Sequence, residues 1–182
     1  ILERLLDLFR REGVVLEIGS GTGQHAIHFA TKLAHLTWQP TDQGEYLPLL
    51  KETLLPITLA NMRQPLSLDV IDDQWPIANV DYVYSANTLH IMSSEHVEYF
   101  MRGVGTALKP EGLLVVYGPF KYGGEFTTDS NANFDSWLKN RDALSGIRDI
   151  ESIKQLASDN GMSYLHDYKM PANNQLLAIQ KL

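Results

Sequence analysis

Residues Val14-Val15-Leu16-Glu17-Ile18-Gly19-Ser20-Gly21-Thr22-Gly23 restrict the fold more than any other stretch of the chain. A short apolar run rich in Val and Ile reads as a buried strand. Three glycines at alternate positions then mark a tight turn of backbone that something approaches closely. A strand ending in such a turn fits an α/β sheet, where ligands bind at the carboxyl ends of the strands. A nucleotide-type cofactor is therefore expected at this turn.

The remainder of the chain alternates helix and strand. Ile1, Leu2, Leu5, Leu6 and Phe9 recur at helical spacing before Gly13, and further helices are expected over 22–34, 45–54, 94–108, 133–144 and 149–160. Strands are expected at 14–18, 36–41, 65–69, 80–85, 113–117, 162–168 and 175–181. Lys109-Pro110-Glu111-Gly112 is a strong stop-and-turn signal. Residues 119–132 hold Gly123, Gly124, Thr127, Thr128 and Asn131 and read as an extended loop. Only about six residues separate the last two strands, too few for a parallel crossover, so they form an antiparallel hairpin. The expectation is a single α/β domain over 1–182, with a mostly parallel sheet closed by that hairpin.

Composition removes several kinds of chemistry. The chain has no cysteine, which excludes disulfides, thiolate zinc sites and cysteine nucleophiles and is compatible with a cytoplasmic location. No apolar run approaches a membrane span, and no signal-peptide pattern precedes the first helix. The formal net charge is −7, and basic residues are scattered. Nucleic-acid binders draw most of their affinity from a basic field, so a small-molecule partner is expected, with no nucleic acid and no membrane. Oligomeric state is not readable. The chain begins at Ile1 without a methionine, and a preceding N-terminal segment is expected.

The glycine spacing then selects among cofactors. A dinucleotide site is written Gly-x-Gly-x-x-Gly, whereas this chain has Gly19-x-Gly21-x-Gly23 with Glu17 two positions before it. No lysine follows, as a phosphate loop requires. Asp42 closes the second strand and Asp69 the third. With these acids, the chain resembles the class I S-adenosylmethionine-dependent methyltransferases, whose first motif is an apolar strand, an acid and Gly-x-Gly-x-Gly. Gly-Thr-Gly-Gln-His-Ala (21–26), Trp38-Gln39-Pro40-Thr41-Asp42, Gly146-Ile147-Arg148-Asp149 and Met170-Pro171-Ala172-Asn173-Asn174 narrow the resemblance further. Together they look like a family of small bacterial methyltransferase-like proteins catalogued as a domain of unknown function, with methyltransferase-like animal relatives. Members carry a polar Arg-Asn segment before the first helix, which this sequence does not show.

That resemblance implies a Rossmann-like class I methyltransferase fold, with a seven-stranded sheet and helices on both faces, and S-adenosyl-L-methionine as cofactor. It implies that Gly19, Ser20, Gly21 and Gly23 pass against the methionine and ribose portion of the cofactor, with Glu17 beside its ammonium end. Asp42 matches the acid that accepts from the ribose hydroxyls, and Asp69 with Val70 matches the position that meets the adenine amino group. His25 opens the next helix as either a cofactor contact or a surface histidine. Ser85-Ala86-Asn87-Thr88-Leu89-His90 follows strand four, where methyl group and acceptor meet in this fold. Asn87 is a candidate contact to the methionine end. His90 is a candidate general base because histidine titrates near neutrality, and Tyr117 is a second catalytic candidate.

Phe120 and Tyr122 leave the fifth strand as candidates for an aromatic wall. Arg148 is placed either on an acidic substrate or in an ion pair, and Asn173 either in a turn or on substrate. The Asn/Asp-Pro-Pro-Tyr signature of amino-nitrogen methyltransferases is absent after strand four, and no acidic set at the strand ends resembles a catechol-type metal site. The expected reaction is in-line transfer of a methyl group to an O, N or S atom of a small molecule. The alternatives are a cofactor-binding protein without turnover and, less consistent with the glycine spacing, a nicotinamide oxidoreductase.

Overall fold

The computed structural model describes residues 1–182. In chain order the elements are α1 (Leu2–Leu8), β1 (Gly13–Ile18), α2 (Gln24–Lys32), β2 (Leu36–Asp42), α3 (Leu47–Leu54), β3 (Leu66–Ser67), β4 (Val80–Ala86), α4 (Ser94–Ala107), β5 (Leu108–Gly118), β6 (Phe120–Tyr122), β7 (Glu125–Phe126), α5 (Asp129–Arg141), β8 (Arg148–Asp149), α6 (Ile150–Asp159), β9 (Met162–Lys169) and β10 (Gln175–Lys181). Seven strands form one sheet in the order β3-β2-β1-β4-β5-β10-β9. Strands β1 to β5 run parallel, while β10 lies antiparallel to both β5 and β9. This is the seven-stranded, mostly parallel sheet with a terminal hairpin that the strand spacing requires.

Period-two alternation divides each strand between two cores. Leu16, Ile18, Leu114 and Val116 join α4 and α6 residues such as Phe100, Val104, Ile150 and Ile153 on one face. Val15, Trp38, Tyr84 and Val115 join Phe9, Ala26, Phe29 and Leu33 on the other, beneath α1 and α2. The chain builds β1, β2 and β3 outward, then returns to place β4 on the other side of β1. That reversal opens a crevice at the carboxyl ends of β1 and β4, where open α/β sheets bind ligands.

Two expectations are corrected. Residues 119–132 are not one extended loop: β6, β7 and β8 make a second, three-stranded sheet, and α5 begins at Asp129. Thr128 caps that helix, its side chain accepting from the Asn131 N–H, as threonine does at N-caps. Lys109-Pro110-Glu111-Gly112 does not separate helix from strand. It bulges within β5, where the register against β4 shifts and Glu111 takes a φ of 64°.

Candidate active site

A cleft of about 650 Å³ opens at the switch point. Its floor is Ile18, Gly19 and Gly21, one wall is Asp42, Gln43, Leu68 and Val70, and the other is Ala86, Asn87 and Thr88. Leu138, Arg141 and Asp142 from the end of α5 flank the opening. The glycine turn is pinned from the neighbouring strand: the N–H groups of Gly19 and Ser20 both donate to the Thr41 carbonyl, at 3.1 and 2.9 Å. A Cβ at Gly19 would lie 2.5 Å from Thr88 Cγ2, so the turn packs directly on the segment after β4.

The other two glycines serve different ends. Gly23 has a φ of 77°, and a Cβ there would meet Leu54 Cδ2 at 2.9 Å, so it allows α2 to pack on α3. Gly21 has a φ of 56°, lines the cleft, and would meet nothing within 4 Å. The space in front of Gly21 is room for a ligand.

Asp42 closes the turn from the side. Its Oδ2 accepts the Gly21 N–H at 2.6 Å and its Oδ1 accepts the Gln43 N–H at 2.8 Å. Burial pushes its carboxyl upward in pKa while those two N–H groups pull it down. Each carboxylate oxygen has a second lone pair, so Asp42 can still accept from two neighbouring hydroxyls in the cleft.

Glu17 lies on the Val15 face of β1 and is 2 % exposed. Its Oε2 accepts from both Ser20 Oγ and Trp38 Nε1, each at 2.9 Å. Burial dominates and raises its pKa to about 7, against the opposing pull of those bonds. Its Oε1 has no protein donor, yet no fully buried side-chain polar atom is left unpartnered. That oxygen therefore retains an outlet. Ser20 is the bridge between strands, since its Oγ also accepts the Thr41 N–H at 3.2 Å.

The structure does not bring every expected cofactor residue to the cleft. Gly19, Gly21, Asp42, Val70 and Asn87 line it. Glu17, Ser20 and Gly23 support the turn from behind. Asp69 is half-buried beside Val70, accepting from Gln43 Nε2 and the Ile71 N–H, both at 3.3 Å. His25 turns toward the sheet, stacked on Phe29 and 3.4 Å from Tyr84 Oη. Burial lowers its pKa there, and it does not line the cleft.

A second recess, of about 430 Å³, shares the Asn87 wall and runs beneath the start of α5. His90 lines it and is 7 % exposed. Phe134 meets its ring edge-on at 5.3 Å. Burial, with Arg148 nearby, pulls the imidazole down to about 4. His90 is thus uncharged through the neutral range and a weak base.

The remaining candidates stand elsewhere. Tyr117 projects to the α1–α2 face, packed against the core there, so it and His90 are not brought together. Phe120 is a core residue, 1 % exposed, rather than a wall of the opening. Tyr122 sits on the small sheet, its hydroxyl donating to the Asp167 carboxylate. Arg148 has neither an ion-pair partner nor a place in either cavity. Its guanidinium donates to the carbonyls of Leu89, Met92 and Leu144 and to Ser94 Oγ. Asn173 is a turn residue at φ 59°, and its Nδ2 donates to Ser130 Oγ at 2.9 Å.

Other lining residues escaped the sequence. Thr88, Gln43 and Tyr46 face the cleft, and Ser130, Asn131 and Phe134 face the recess. The Thr128-x-x-Asn131 cap is the one signal that would have brought the last three into view, by starting a helix there.

Residues 1–181 match the family described as "Protein of unknown function (DUF938)". The chain belongs to that family. Among solved structures it is similar to an O-methyltransferase family protein from Burkholderia thailandensis, at a TM-score of 0.83 and 16% identity, covering 98% of this chain and 55% of that one. An O-methyltransferase family 2 protein from Planctomyces limnophilus, in complex with apigenin, matches at 0.81 and 15%, covering 96% and 52%. The S-adenosylmethionine-dependent methyltransferase SibL in its apo form matches at 0.79 and 20%, covering 95% and 51%. The likeness is one of fold: this is the class I methyltransferase fold. The chain spans about half the length of these structures.

Proposed function

We propose that this chain is an S-adenosyl-L-methionine-dependent methyltransferase domain acting on a small-molecule acceptor. The observation that carries the reading is the open space above Gly21, bounded by Asp42 and continuous with the ends of β3 and β4. In its support, Asp42 retains acceptor capacity for a ribose diol, and Leu68 and Val70 offer an apolar surface for a base. Glu17, with Oε2 bonded to Ser20 and Trp38, holds the glycine turn from behind and places a carboxyl group next to it. An acidic pair at this edge suits a cationic sulfonium better than a pyrophosphate.

Bound there, the cofactor would supply an activated methyl group for in-line displacement. The chain's own task is then to align two reactants and keep water out. The cleft and the recess meet at Asn87, which places that residue between cofactor and acceptor. His90, pulled well below its ordinary range, would accept a proton only from an acceptor that is itself acidic or already polarised.

The test is turnover. The full chain, incubated with S-adenosylmethionine and a metabolite extract, should form S-adenosylhomocysteine in an acceptor-dependent way, and Asp42→Ala should abolish this. The weak basicity of His90 favours one other reading, a cofactor-binding protein without turnover. Tight cofactor binding with no product from any extract would establish that reading instead.

A further inference from the structure

The recess beside the cleft carries an unusual set of groups. No charged side chain lines it, and Asn87, His90, Ser130, Asn131, Phe134 and Asn174 supply its walls. Two of these polar residues are almost entirely buried: His90 is 7 % exposed and Asn131 is 6 %. Asn131 Nδ2 donates to Thr127 Oγ1 at 2.9 Å and to the Asn173 carbonyl at 3.0 Å, which leaves Oδ1 without a partner. Neither ring nitrogen of His90 bonds to protein. No side-chain polar atom in the molecule is both fully buried and unpartnered. The free atoms of His90 and Asn131 therefore have an outlet, and the recess is the cavity they line. Buried polar groups of this kind are normally satisfied, so two of them opening into one recess mark a ligand position.

Charge decides the class of ligand. An ion taken from water needs a compensating partner. The guanidinium of Arg148 is committed to three carbonyls and a hydroxyl. The Asp135 carboxylate accepts the Ile147 N–H at 2.7 Å and pairs with Lys139 at 2.6 Å. His90 is neutral at physiological pH, with one ring nitrogen protonated and the other free. What remains is a donor and an acceptor on the imidazole, an acceptor on Asn131, an exposed amide on Asn87, and the Phe134 ring. We propose that this recess selects an uncharged acceptor, a small neutral molecule with a flat apolar body and a hydrogen-bonding group held between His90, Asn131 and Phe134. This rests on the methyltransferase reading and names the substrate class of the same site.

Three probes share one phenol ring and differ in charge: 4-hydroxybenzamide, 4-hydroxybenzoate and tyramine. Ligand-observed NMR titration with the full chain, in the presence of S-adenosylhomocysteine, should show the amide binding at least about tenfold more tightly than either ion. Phe134→Ala should remove most of that binding. Ser130→Lys, an exposed change at the lip of the recess, should reverse the order of amide and carboxylate without touching the folded core. Equal or stronger binding of 4-hydroxybenzoate or tyramine by the unaltered chain would overturn the proposal, as would binding of none of the three. A parallel calorimetric titration of S-adenosylhomocysteine alone reads out the cofactor separately. Its failure with the amide still bound would overturn the methyltransferase reading and leave a neutral-ligand site.

Discussion

A Cβ at Gly21 would point into open cleft, whereas one at Gly23 would press on Leu54 and Leu50. Both residues have positive φ, so an L side chain costs about 1–2 kcal/mol of backbone strain at either. The consequences beyond that strain differ. Gly21→Ala should lose little more than this in chemical denaturation, yet weaken cofactor binding by at least about tenfold, because the methyl group takes ligand space. Gly23→Ala should be the more destabilising of the two, since it must also separate α2 from α3. A Gly21→Ala protein with cofactor affinity unchanged would remove Gly21 from the site. Sequence alone tied all three glycines to the cofactor, because spacing reports where the backbone turns and not what the missing side chain would strike.

Arg148 shows how an element is held together by a single side chain. The two-residue strand β8 carries it, and its fork ties the carbonyls of the 89–92 segment and of Leu144 to the start of α4. Arg148→Ala should leave several carbonyls poorly satisfied and cost about 2 kcal/mol, seen as a lower unfolding midpoint. Arg148→Lys should recover only part of that loss, because a single ammonium cannot reproduce the planar fork. If Arg148 served an acidic substrate instead, both variants would unfold like the parent.

Elements of this kind were hidden from the sequence for a physical reason. Strands β1 and β10 announce themselves by the apolar runs Val14-Val15-Leu16 and Leu176-Leu177-Ala178-Ile179, and β2 is long enough, at seven residues, to be seen. Strands β6, β7 and β8 are two or three residues long and have no period to detect. Helix α5 buries Asn131 and Asp135 beside Leu138, so its inner face is largely polar and hydrophobic spacing places its start too late. The candidate cofactor edge was legible because glycines and acids stand at fixed offsets from strand ends. The recess was not, because it is assembled from residues 87–90, 130–134 and 172–174, which only the tertiary fold brings together.

Over the whole molecule, two buried groups pull its stability in opposite directions. Glu17 titrates near 4.5 when unfolded and near 7 when folded. Between those values the native state holds a proton that the unfolded chain has lost, so its contribution falls as pH rises. His90 titrates near 6.5 unfolded and near 4 folded. There the unfolded chain holds the extra proton, and stability rises with pH. Asp42 shares the direction of Glu17, and His25 shares that of His90. Each of the two larger shifts is worth on the order of 3 kcal/mol, so they largely cancel between pH 4.5 and 6.5. Denaturation curves across that window should be nearly level for the parent chain. Glu17→Gln should make stability climb with pH, and His90→Gln should make it fall. Parallel profiles for all three proteins would show that neither group is buried in the ionisation state assigned to it.

What binds in the space above Gly21 decides the function of this chain. Isothermal titration of S-adenosylhomocysteine into the full chain should give saturable heat with one equivalent bound. Asp42→Ala, with its fold verified by circular dichroism, should bind at least about tenfold more weakly. No saturable heat from the folded parent chain, or an Asp42→Ala protein that binds as the parent does, would contradict the methyltransferase reading.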